Sequence, residues 1–88
     1  MAFNIKTVRE IARFTDEGQH NEALILGAHM LGEKVLQKKF QLVGTLCRME
    51  GHMPTGVGKY RDNLYDQLMA RAKNKLSNIE FDHFRSAY

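Results

Sequence analysis

Ten consecutive residues, Ala23 to Gly32 (ALILGAHMLG), carry no formal charge apart from what a protonated His29 would add. Wound as a helix, the segment is apolar all the way round. Leu24, Ala28 and Leu31 fall on one side, and Ile25, Leu26 and Met30 on the others. Such a helix must be covered from several directions. In a chain of 88 residues, where a single core only just suffices, the segment is predicted to be either the hub of a bundle or part of a subunit interface.

Length makes this one domain, residues 1–88. Hydrophobic residues make up 43% of the chain, enough for a compact core and too many for a disordered segment. The formal charge is +3, mildly basic, whereas dedicated nucleic-acid binders carry denser basic clusters. Cys47 is the lone cysteine, which excludes an internal disulfide and a cysteine metal cage and fits a reducing compartment. The opening residues, MAFNIKTVREIARF, alternate polar with apolar and include Glu10, so no leader is expected. The apolar run at 23–32 is too short to span a bilayer. The expectation is a soluble cytoplasmic protein that does not enter a membrane.

Helical spacing organises most of the chain. Ile5, Val8, Ile11, Ala12 and Thr15 form a stripe over 5–16, with Asn4 as N-cap and Gly18 as terminator. Asn21 is placed to cap a second helix over 22–31. Gly32 is the expected break before a third helix over 33–50, because three internal glycines in one helix would each cost about 1 kcal/mol. That third helix carries Val35, Leu36, Phe40, Leu42, Val43, Leu46, Cys47 and Met49 on a broad apolar face, with Lys39 inside the arc. GHMPTGVG, residues 51–58, reads as a reversing loop. A fourth helix is expected from Val57 or Lys59 to Leu76. Ser77 and Glu80 form a capping box that starts a fifth, whose Ile79, Phe81, Phe84 and Tyr88 are expected to dock. No segment alternates with period two. The chain is therefore predicted to be all-α, a compact bundle of four to five short helices centred on residues 22–50.

Catalytic and metal-binding patterns are thin. His20, His29, His52 and His83 are scattered, and His29 with Glu33 supplies only two ligands. Cys47 lacks a partner on its own helix that would lower its pKa, since His52 lies past Gly51. MPTGVGK has neither the spacing of a phosphate-binding loop nor the Ser or Thr after its lysine. No catalytic residue, cofactor or metal is assigned, and the chain reads as non-enzymatic.

Charge and aromatic placement suggest partners instead. Arg61 falls inside the apolar arc of the fourth helix, between Leu64, Tyr65 and Leu68, and Lys39 sits similarly on the third. With Arg71, these make Lys39, Arg61, Tyr65 and Arg71 the expected protein-contact residues. Lys34, Lys38, Arg48, Lys73 and Lys75 are the alternative, a phosphate-contacting nucleic-acid surface.

Residues 5–31 resemble one helical hairpin of a tetratricopeptide repeat. Phe14, Gly18 and Ala23 match its aromatic, turn-glycine and small-residue positions, while its early Trp and Leu-Gly positions are unmatched and no second copy follows. The resemblance implies antiparallel pairing of the first two helices. The functional expectation is a small regulator, adaptor or inhibitor that binds a larger protein. The apolar excess points to a homodimer, with complete burial inside a monomer as the alternative.

Overall fold

The structure, a computed structural model, describes residues 3–88; Met1 and Ala2, which open the segment read for a leader, lie outside it. Five helices follow in order: α1 Ile5–Asp16, α2 His20–Met30, α3 Lys34–Glu50, α4 Thr55–Lys75 and α5 Asn78–Ser86. There is no strand among the described residues. The chain is an all-α bundle.

Local chemistry sets the helix ends. The Asn4 side chain accepts from the backbone N–H groups of Lys6 (2.9 Å) and Thr7 (3.4 Å), satisfying donors that the first turn of α1 leaves open. Gly18 adopts φ 77°, a conformation costly for residues with a Cβ, and turns the chain into α2. Gly32 does the same at φ 71° and separates α2 from α3. The Glu33 N–H then closes on Ala28 O at 2.9 Å. Ser77 and Glu80 make both bonds of the capping box ahead of α5, at 3.0 and 3.3 Å.

Several boundaries and one side chain differ from the sequence reading, α2 and α3 also stopping at Met30 and starting at Lys34, one residue inside the expected ends. First, α2 starts at His20. Asn21 therefore lies inside the first turn, and its side-chain carbonyl accepts from Arg61 instead of capping the helix. Second, α4 starts at Thr55, so Gly56, Val57 and Gly58 are helical and the reversing loop shrinks to residues 51–54. Pro54 enters with φ −62°, and its carbonyl accepts from the Gly58 N–H at 2.9 Å, closing the first α-turn. Third, α4 ends at Lys75, leaving Leu76 as an extended, buried cap. Finally, Ile79, expected to dock, is 72% exposed because Phe84 takes the buried side of α5.

Helix α2 is the hub. It packs on α1, α3 and α4. Ala23, Leu24, Ala28 and Leu31 are fully covered, and Ile25, Leu26 and Met30 are half-buried against the same core. The residue at 27 is a glycine, and Phe84 and Tyr88 press on the helix there. Within one chain, the segment 23–32 is thus covered on its inner side and keeps Ile25, Leu26 and Met30 partly exposed. Phe40, Phe84, Ile11, Leu64 and Leu68 fill the remaining centre, each no more than 1% exposed. Helices α1 and α2 pack together, as the tetratricopeptide resemblance implies, and α2 pairs in turn with α3 across the Gly32 turn.

Candidate interaction surface

Helix α3 carries two apolar stripes. Leu36, Phe40, Val43 and Gly44 face the core. Val35, Leu42 and Met49 do not, and they are 67%, 52% and 77% exposed. These three stand seven residues apart, so they lie within about 40° of one another on a straight helix. Lys39 and Leu46, both half-buried, fall between them and the core. Together Val35, Lys39, Leu42, Leu46 and Met49 repeat at four, three, four and three residues. That is the spacing of a seam that packs on another helix.

Cations flank this stripe. Lys34 and Lys38 lie along one edge of the stripe and Lys39 stands within it, while Glu50 is the one acidic residue of α3 beside it. None of the three lysines makes an ion pair among the described residues. Arg48 is farther round, where its Nη2 donates to the Thr45 hydroxyl at 3.2 Å.

The other expected contact residues divide between two places. Arg61 and Tyr65 come together in an open cleft of about 300 Å³, bordered also by His20, Leu24, Asp62 and Tyr88. The Arg61 Nη1 donates to Asn21 Oδ1 at 3.3 Å. Tyr65 stands edge-on to Tyr88, with ring centroids 6.0 Å apart. Arg71 and Lys75, assigned from sequence to different surfaces, instead converge on Glu33 at the start of α3. Lys75 also donates to Leu31 O at 2.7 Å, satisfying a carbonyl at the end of α2. Both cations are thus paired with Glu33 at the surface, Arg71 with most of its side chain in solvent. Lys73 is exposed on α4.

Reactive groups do not assemble. Cys47 and His52 border one shallow groove of about 560 Å³ between residues 18–22 and 44–53. The Cys47 sulfur contacts Met53 Sδ at 3.5 Å, and the His52 ring lies 3.0 Å from Glu50 O. His29 lies in the last turn of α2 and Glu33 precedes α3 beyond the Gly32 turn, so the two do not share a helical face. Among the described residues no three His, Cys, Asp or Glu side chains gather as a metal-holding group, and no helix is long and apolar enough to cross a membrane.

The outward stripe is the feature that residue-by-residue reading missed. All its apolar members sit in the broad arc read from the sequence, but that arc is two stripes. The signal was the lysine inside it: Lys39 marks where the core ends and a wet edge begins. Compared with known proteins, the chain matches no protein-family model, and no curated protein or solved structure shows significant similarity to it.

Proposed function

We propose that this chain is a small non-enzymatic interaction protein, a regulator or adaptor that occupies a partner protein's surface. One observation carries the reading. Val35, Leu42 and Met49 are exposed along one line of a helix whose Leu36, Phe40, Val43 and Gly44 are already buried on another face. Scattered exposed apolar residues are ordinary, whereas a contiguous line of them with polar edges marks a contact site. The free thiol of Cys47 fits a reducing interior such as the cytoplasm. The alternative reading, phosphate contact through Lys34, Lys38, Arg48, Lys73 and Lys75, is weakened by the commitment of Lys75 to Glu33 and Leu31.

Photo-crosslinking in living cells tests this reading. A benzophenone amino acid at position 42 is expected to give a discrete protein adduct, and the same group at exposed Asn63 on α4 is expected to give none. Adducts to nucleic acid, or no adduct specific to position 42, would overturn it.

A further inference from the structure

We infer that the outer face of α3 takes an acidic amphipathic helix of another protein, seated along Val35, Lys39, Leu42, Leu46 and Met49. This inference rests on the reading of the chain as an interaction protein and adds the chemistry of the partner. The spacing of four and three residues specifies the shape of the occupant. A side chain at each of these positions meets a facing helix as a knob meets a hole, and an isolated strand or loop has no matching period. From Val35 to Met49 the line runs about 21 Å, the length of roughly four helical turns.

Charge specifies the sign. Lys34 and Lys38 line one edge, and none of their charge is spent within the fold. Lys39 is more telling because it stands within the seam and is half-buried before anything docks. Covering it without a counterion would strand a desolvated ammonium group, which costs several kcal/mol. An Asp or Glu on the incoming helix opposite Lys39 removes that cost and fixes the register, as single polar residues do in helical seams. Acidic residues flanking the partner's own apolar line meet Lys34 and Lys38.

A second copy of this chain fits less well. Parallel α3 helices would place Lys38 and Lys39 beside their own equivalents. Antiparallel pairing about Leu42 sets Lys34 of one copy against Glu50 of the other but leaves Lys38 and Lys39 opposite Leu46 and Thr45, without acids. A seam about 21 Å long and one helix, roughly 10 Å, wide falls below the roughly 1,000 Å² that a stable interface must exceed, whichever helix is seated on it. The charges favour an acidic occupant, and the area makes its binding reversible.

A displayed library of helical peptides tests the inference on the full chain. Each peptide keeps leucine along a four-three seam and draws the flanking positions evenly from Glu, Gln and Lys. Selection is expected to enrich Glu. The Lys38→Glu, Lys39→Glu double variant is expected to reverse the preference toward Lys and to weaken the best acidic peptide by about tenfold or more. Leu42→Asp is expected to end selection while the helical circular dichroism stays unchanged. Peptides recovered without charge preference would overturn the acidic partner while leaving the interaction reading intact. Failure to recover any peptide would overturn the helical occupant, and the crosslink at position 42 would then decide separately whether the interaction reading stands. A concentration-dependent dimer broken by Leu42→Asp would assign the face to a second copy. Leu42-dependent flotation with phosphatidylserine vesicles would assign it to a membrane surface. Either result overturns the inference.

Discussion

The phenol oxygen of Tyr88 lies 1.8 Å from where a Cβ on Gly27 would stand. Only a glycine leaves room for it there, and the hydroxyl uses that room to donate a 2.8 Å hydrogen bond to Ala23 O, one turn earlier on α2. The ring is held from the sides by Phe84 and Tyr65, at centroid distances of 5.3 and 6.0 Å, both edge-on. The last residue of the chain thus closes onto the hub, and the sequence carries a mid-helix glycine to let it.

Gly27→Ala is therefore expected to destabilise the protein by about 1–3 kcal/mol through overpacking, despite the better helix propensity of alanine. The same change made in a Tyr88→Ala background is expected to cost less, because only the 3.1 Å approach to Phe84 Cζ remains to oppose the better helix propensity of alanine. Urea denaturation of the four proteins in this cycle measures the coupling. Equal costs in both backgrounds would show that Tyr88 does not occupy the space over Gly27.

Alkaline stability is expected to report the same contact. Burial, with Tyr65 adding a smaller effect, pushes the Tyr88 phenol well above its usual value of 10.0. In the unfolded chain the phenol ionises near its ordinary value, whereas in the fold it keeps its proton. The stabilisation is complete below about pH 10 and is lost as pH rises above it, at up to about 1.4 kcal/mol per unit. Tyr88→Phe is expected to lose about 0.5–1.5 kcal/mol at neutral pH with the hydrogen bond and to show a shallower decline between pH 10 and 11. Parallel stability curves for the two proteins would contradict the buried phenol.

Two neighbours on α3 are expected to respond oppositely. Phe40 is 1% exposed, and Phe40→Ala is expected to cost about 3–5 kcal/mol. Leu42 is 52% exposed, and Leu42→Asp is expected to stay within about 0.5 kcal/mol of the parent. Thermal unfolding of the isolated protein checks both. A large loss at Leu42 would mean that the stripe is covered by this chain itself.

Features set by local chemistry were legible in the sequence. Asn4, Gly18, Gly32 and the Ser77–Glu80 box act within a few residues of themselves, so α1 and the α2–α3 break fell where spacing placed them. The apolar run at 23–32 marked a segment that must be covered, as hub or as subunit interface, since no helix apolar on all sides can stay uncovered. Features that depend on a distant partner were not legible. Asn21 reads as a cap until Arg61, forty residues later, takes its carbonyl. Arg71 and Lys75 read as free cations until the fold brings Glu33 to them. Gly27 reads as a cost to α2 because its benefit arises at Tyr88. Val35, Leu42 and Met49 look like core because apolar periodicity does not say whether the covering helix belongs to the same chain.

Gly32, in the turn between α2 and α3, and Gly44, within α3, offer a separate check on how these two helices pack. Gly32 has φ 71°, so Gly32→Ala is expected to cost about 1–2 kcal/mol although nothing crowds the position. Gly44 lies within α3, and a Cβ there would meet Asn21 Cβ at 3.8 Å, an ordinary contact. Gly44→Ala is expected to be neutral or to stabilise by up to about 1 kcal/mol. Chemical denaturation of the two variants would show opposite shifts in midpoint. A loss at Gly44 as large as that at Gly32 would mean that α2 and α3 approach more closely than the structure places them.

Glu33 joins three elements, and its removal is expected to separate an ionic effect from a backbone one. Its carboxylate, with the side chain only 17% exposed, receives Lys75 and, at 3.7 Å, Arg71. Glu33→Gln is expected to cost about 0.5–1 kcal/mol at low ionic strength, because both cations remain beside an uncharged amide. That difference from the parent is expected to shrink in 0.5 M salt (roughly a 4 Å screening length), since the partners reach into solvent. Lys75→Met removes the same ion pair and also leaves Leu31 O, at the end of α2, without its 2.7 Å donor. Its cost is expected to be larger, about 1–2 kcal/mol, and to persist in salt because an unsatisfied carbonyl is not relieved by screening. Urea midpoints for the three proteins at both salt concentrations supply the comparison. If salt erased both differences equally, Lys75 would be acting only as a charge, and the junction between the end of α2 and α4 would have to be closed by other contacts.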